Sequence, residues 1–187
     1  MFTKFPTSIV GPTATVELPS ENVDWEAELV VVIGQYTYRV DAEKAWDHVA
    51  GLTAGQDLSE RTVQLAGPVP QFSMGKSFPG FGPVGPVFVT VDEFDDPDSL
   101  DISCSVDGDV LQSASTSQMI FGVTELVSKL SYVCPLLPGD LIFTGTPSGV
   151  GMARQPARYL APNSTLVTTI EHIGELRNRL VAEESTR

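Results

Sequence analysis

The stretch DWEAELVVVIG, Asp24 to Gly34, decides how this chain is read. Leu29 to Ile33 is an unbroken aliphatic run closed by Gly34, the pattern of a strand buried on both faces. In an extended chain residues two apart point the same way, so Glu26 and Glu28 project from one face with Cα atoms roughly 6.6 Å apart. Two carboxylates at the mouth of an apolar strand repel, and burial makes each costlier unless a cation compensates or one takes a proton. A divalent metal supplies that cation, and two solvated glutamates at a strand end are the competing explanation.

Composition limits what such a site can serve. With 187 residues, 42% of them hydrophobic, and no apolar run of membrane-spanning length, the chain reads as a single soluble domain, residues 1–187, with no membrane partner. The balance of 11 basic and 24 acidic residues gives a net charge of −13 and leaves no basic stripe, which argues against nucleic acid. Cys104 and Cys134 are far apart and lack CxxC spacing. They are expected as reduced thiols in a cytoplasmic protein, a single disulfide being the alternative. The first residues lack the charged-then-apolar layout of a signal peptide.

Upstream of the glutamates, Met1 to Pro19 suits short extended pieces broken by Pro6, Gly11, Pro12 and Pro19. Downstream, apolar residues at Ala42, Ala45, Trp46 and Val49 predict a helix over 40–52 with Asp41 as its N-cap. His48 on that helix reads as a surface or satisfied histidine, and so does His172. Asp57, Arg61 and Gln64 stand at spacings of four and three, which a helical turn gathers on one face as an anion, a cation and an amide. A capping box of Asp57 with Glu60 is the alternative.

Gly75-Lys76-Ser77 is not a phosphate loop, because that loop needs a glycine where Pro70 stands and a helix where the sequence turns proline-rich. Lys76 is then either a surface residue or an electrostatic clamp in a crowded pocket. Val87 to Val91 predicts a strand, and Ile102 to Val106 with Val110 to Gln112 a hairpin across Asp107-Gly108-Asp109. Ile120, Val123, Leu126, Val127 and Leu130 predict a helix over 117–132. A strand at Leu141 to Thr144 runs into Gly145-Thr146-Pro147-Ser148-Gly149-Val150-Gly151, where glycines let backbone amides approach a small anion and a threonine hydroxyl adds a donor. Leu166 to Ile170, and a segment to about Val181, supply further strand.

Four ordered motifs carry a resemblance. They are Glu26-Ala27-Glu28, Gln56-Asp57-Leu58-Ser59-Glu60-Arg61 with Gln64, Gly75-Lys76-Ser77-Phe78 running to Pro86, and Pro138-Gly139-Asp140 followed by Thr144 to Gly151. Together they span nearly the whole chain and resemble the fumarylacetoacetate hydrolase family. The resemblance implies a mainly β fold with a few helices, a mixed β-sandwich roll, in a homodimer. The apolar, proline-rich run from Phe78 to Val89 reads as exposed and offers a surface for such pairing. It implies Mg²⁺, Mn²⁺ or Ca²⁺ held by Glu26, Glu28 and Asp57, with Arg61, Gln64 and Lys76 in catalysis and Lys76, Gly145 and Thr146 on the substrate.

Three carboxylates around one divalent ion leave positions for a chelating 2-oxo acid, and Lys76, Arg61 and Gln64 then face the enolate or oxyanion that forms. The leading expectation is hydrolysis of acylpyruvate-type C–C bonds through a metal-bound enolate. The second is an isomerase, tautomerase or decarboxylase of 2-oxo acids, and the third a non-catalytic metal-dependent binder. Hydrolytic members of the family carry a His-x-x-Glu pair upstream of the segment matched by Phe2 to Pro6, so the natural protein is expected to be longer than this sequence. Thr62 stands where many members have Asp, and Asn163-Ser164 where Gly-Asp is usual.

Overall fold

A computed structural model describes residues 1–183; the single-domain reading also takes in residues 184–187, which lie outside them. The strands are β1 (Ile9–Val10), β2 (Val16–Leu18), β3 (Val23–Asp24), β4 (Ala27–Ile33), β5 (Val49–Gln56), β6 (Ser59–Glu60), β7 (Gly82–Thr90), β8 (Asp101–Val106), β9 (Asp109–Ser115), β10 (Leu141–Phe143), β11 (Thr165–Ile170) and β12 (Gly174–Ala182). The α-helices are α1 (Arg61–Gln64), α2 (Phe72–Gly75) and α3 (Val123–Val133). One sheet has the order β1-β7-β5-β4-β10, a second β2-β12-β11-β8-β9, and β3 pairs with β6 in a small ribbon. The pairings β1–β7 and β2–β12 are parallel and the others antiparallel, so both large sheets are mixed. This is the mainly β architecture with few helices that the motifs imply.

β4 sits inside the first sheet between β5 and β10, and all its residues but Val32 are buried, as its aliphatic run demands. Leu29, Val31, Leu52 and Ala54 join Ile102, Cys104, Leu166, Ile170, Leu176 and Leu180 of the second sheet in one core. Truncating a wholly buried leucine such as Leu52 to alanine would cost about 2–5 kcal/mol. The hairpin β8–β9 forms as its turn residues dictate, with Asp107 at φ 52° and Gly108 at φ 86°. Among the described residues no helix is long and apolar enough to cross a membrane.

Three expectations need correction. The helix over 40–52 is a 3-10 turn, Ala42–His48, whose Asp41 makes no side-chain cap, and the chain then enters β5. The alanine and glycine steps that look helical serve close packing, since a Cβ on Gly51 would lie 2.8 Å from the Phe88 ring. The helix over 117–132 begins only at Val123, after Gly122, and Ile120 stays 91% exposed outside it. The run from Phe78 to Val89 is open only in part: Phe81 to Pro83 are buried where the chain enters β7 between β1 and β5, while Pro86, Val87 and Phe88 farther along the strand are exposed.

Candidate metal and substrate site

The strand ladder ends at the two glutamates. β4 begins at Ala27, so Glu28 lies in the strand opposite Gly55 while Glu26 lies just before it. Three consecutive backbone N–H groups there are held by side chains: Trp25 donates to Asp24 Oδ1, Glu26 to Gln56 Oε1 and Ala27 to Gln112 Oε1. This replacement of ladder bonds lets Glu26 and Glu28 converge although only one of them is in regular strand. Asp57, in the turn after β5, donates its N–H to the Glu26 carbonyl and so reaches the same spot. Oxygens of Glu26, Glu28 and Asp57 all lie within 4.8 Å of one another.

Cations surround this trio. Lys76 is 1% exposed, and its Nζ donates to Glu26 Oε2 at 2.7 Å, Asp57 Oδ2 at 2.7 Å and Ser59 Oγ at 2.8 Å. The Phe2 ring lies 5.1 Å from the same ammonium. Arg61, the first residue of α1, binds Glu26 Oε1 through NH1 at 2.7 Å and Asp24 through Nε at 2.9 Å and NH2 at 2.8 Å, and it donates to Gln64 Oε1 at 2.8 Å. Burial weighs against the Arg61 charge, but Glu26 and Asp24 outweigh it and hold the guanidinium above its ordinary pKa. The helical-turn spacing thus brings Arg61 and Gln64 together, while Asp57 lies outside α1 and Glu60 caps it by accepting from the Val63 N–H.

Several groups at the site carry no motif. Lys4 Nζ lies 3.0 Å from Asp57 Oδ1 and donates to the Lys76 carbonyl; burial lowers its pKa, and Asp57 offsets this only in part. Nothing around Lys4 in the sequence marks it, because its partner is more than fifty residues away. Asp24, wholly buried, accepts from Arg61 and from the N–H groups of Trp25, Gly151 and Met152. The alternation that pairs Glu26 with Glu28 extends to Asp24, and that is the signal by which it could be found. Gln56 and Ser59 are marked only by lying in the motif around Asp57, and Gln112 has no mark at all. His48 is satisfied by Thr37 Oγ1 and His172 is exposed.

The glycine-rich loop after β10 closes one side. Gly145, at φ 98°, donates its N–H to Glu28 Oε2 at 2.9 Å. Thr146 Oγ1 donates to the Ala27 carbonyl and accepts from Gln112 Nε2, so its hydroxyl hydrogen is already committed. A groove of about 510 Å³ runs along the other side of this loop, between Thr144 to Ser148 and Met119 to Phe121.

The residues fit a hard divalent cation. Glu28 is in no ion pair among the described residues; burial first, then Asp57 and Glu26, push its carboxyl well above the usual carboxylate range. Asp57 Oδ1 is buried and faces only the Lys4 ammonium, at 3.0 Å. An oxygen-only set with an unpaired anion is what Mg²⁺, Mn²⁺ or Ca²⁺ takes.

A family model described as the C-terminal domain of fumarylacetoacetate (FAA) hydrolase matches residues 1–181. The chain is 43% identical over 183 residues to the bovine (Bos taurus) protein named "Oxaloacetate tautomerase FAHD2A, mitochondrial", covering 97% of this chain and 58% of that one. It spans the same share of the human counterpart, also at 43% identity. Among solved structures, the fumarylacetoacetate hydrolase of Exiguobacterium antarcticum superposes with a TM-score of 0.92 at 39% identity, over 97% of this chain and 66% of that one. The 5-carboxymethyl-2-hydroxymuconate delta-isomerase of Mycobacterium smegmatis gives a TM-score of 0.89 at 35% identity, over 98% and 69%.

Proposed function

This chain belongs to the fumarylacetoacetate hydrolase family, and on that premise we propose that it is a divalent-metal-dependent tautomerase or isomerase of small 2-oxo acids, with oxaloacetate the first substrate to try. The observation that carries this reading is the trio Glu26, Glu28 and Asp57 with the Lys76 ammonium set into it at 2.7 Å from two of the three. Among the expectations from sequence, C–C hydrolysis stood first and isomerisation second. Two of the relatives, an oxaloacetate tautomerase and a delta-isomerase, favour the second.

Glu26, Glu28 and Asp57 would hold the cation, which when bound supplies Lewis acidity and chelating positions for a 2-oxo acid. Tautomerisation moves a proton from the carbon beside the keto group to the keto oxygen, and negative charge gathers on that oxygen on the way. A fixed ammonium meets more charge there than in the starting acid, so Lys76 lowers the barrier instead of only binding substrate. All three Lys76 protons have partners, so one is redirected from a carboxylate or from Ser59 to the substrate oxygen. Arg61 is braced by Asp24 and Gln64, and its place against Glu26 fixes a second positive charge at little further entropic cost. Gly145 and Thr146, whose donors are committed to Glu28 and to the Ala27 carbonyl, would limit a substrate by shape and not by hydrogen bonds.

The test is the decay of enol absorbance in oxaloacetate solutions with Mg²⁺ or Mn²⁺, run beside acylpyruvates. Acceleration over the buffer rate that disappears on chelation is the expected result. Release of pyruvate from acylpyruvates without tautomerisation would favour the hydrolytic reading, and bound metal with no turnover of either would sink both. The homodimer belongs to the same proposal; a single-chain mass in sedimentation with metal present would refute it.

A further inference from the structure

Ala27 separates the two glutamates, and both of its backbone polar groups are held by side chains. β10 pairs with Val30 to Val32 of β4, and Thr144 N–H still reaches the Leu29 carbonyl, but the next residue turns its N–H to the Glu28 carboxylate. Ala27 would there be left without a ladder partner on that side. Instead its N–H donates to Gln112 Oε1 at 3.1 Å, and its carbonyl accepts from Thr146 Oγ1 at 2.9 Å. Gln112 Nε2 donates to Thr146 Oγ1 and to the Pro147 carbonyl, both at 2.8 Å. The bonds close a ring through Ala27, Gln112 and Thr146.

The ring is rigid for a chemical reason. Gln112 is 2% exposed and both amide hydrogens are used, and flipping the amide would set its oxygen against the Pro147 carbonyl, which can only accept. The two Ala27 groups belong to the peptide planes on either side of that residue, so holding both fixes the twist between Glu26 and Glu28. Gln112 lies on β9 of the second sheet and makes no hydrogen bond to any of the three carboxylates.

We propose that Gln112 is a positioning residue for the carboxylate trio, setting through Ala27 and Thr146 the angle between Glu26 and Glu28 and hence the affinity of the site for a divalent cation. This rests on the trio being a metal site. Outer groups of this kind are worth about 10–100-fold in metal affinity when they orient the ligands.

Gln112→Met keeps the length of the side chain and removes all three bonds. In calorimetric Mn²⁺ titration of the intact chain, its affinity is expected to fall by about tenfold or more relative to wild type. Thr146→Val breaks the ring at another point and should lose affinity as well, while Thr146→Ser keeps the oxygen and should restore it. The double variant Gln112→Met with Thr146→Val should bind no worse than the weaker single, because one ring is broken twice. A lowered melting temperature with Mn²⁺ affinity within about twofold of wild type would overturn the proposal, since orientation then contributes nothing. If Gln112→Met does not fold, equal affinities in wild type, Thr146→Val and Thr146→Ser overturn it. A wild type that binds no Mn²⁺ overturns the metal reading itself, and this inference with it.

Discussion

Between Asp92 and Asp98 the chain packs five carboxylates into seven residues, Asp92, Glu93, Asp95, Asp96 and Asp98, whereas the cluster at the head of β4 draws Glu26, Glu28 and Asp57 from two separate segments. The first group is denser in sequence and lies at the surface, where partial burial raises only the Asp98 carboxyl, and among the described residues none of its members enters an ion pair. The second, with Glu28 and Asp57 buried and Glu26 nearly so, meets Lys4, Arg61 and Lys76 at 2.7–3.0 Å. Water screens the run at 92–98 and leaves it with little to gain from any one partner. Removal of water from the trio makes each charge demand compensation, and that demand is what a cation can answer.

The largest effect is expected at Asp24, whose carboxylate is the buried counter-charge of Arg61: Asp24→Ala should destabilise the protein by about 3–5 kcal/mol in chemical denaturation, while Asp95→Ala should stay within about 0.5 kcal/mol. Equal losses would mean that burial is not what separates the two regions. Next, Lys76→Met keeps side-chain length and deletes the charge. For any substrate turned over through an enolate, kcat should drop by about 10²–10³ with a smaller change in KM. An unaltered kcat would remove Lys76 from the chemistry. Asp57→Asn should weaken Mn²⁺ binding at least about tenfold in calorimetry, and Asp96→Asn should leave it unchanged. An unchanged affinity in Asp57→Asn rejects that residue as a ligand.

The smallest effect applies the same contrast to the two thiols, which are both free. Burial pushes the Cys104 thiol up to about 12, and Cys134 is exposed. At pH 8 a thiol reagent should therefore modify one cysteine per folded chain and two in denaturant. Two rapid modifications in the folded protein would show that the core around Cys104 admits solvent.

What could be read without coordinates follows the range of the interaction. The aliphatic run of β4 and the Asp-Gly turn between β8 and β9 are local, and the structure forms both. The fold class followed from the motifs. The start of β5 was open to misreading because Val49 continues the helical spacing of Ala42, Ala45 and Trp46, and only its pairing with β4 decides otherwise. At the site, Glu26, Glu28, Asp57, Arg61 and Gln64 announce themselves by charge and spacing, and Lys76 only by the family motif that contains it. Lys4 and Gln112 do not, since each acts across a fold contact that no short pattern encodes.

The ring around Ala27 ties a strand of one sheet to a side chain of the other, so the Ala27 amide proton can exchange with solvent only when the sheets part or the ring opens. A cation that binds only the closed arrangement adds its binding free energy to that opening, by RT ln(1 + [L]/Kd). The exchange rate of this single proton, followed through a Mn²⁺-free titration with Mg²⁺, would then report occupancy of the carboxylates from a backbone group that touches none of them.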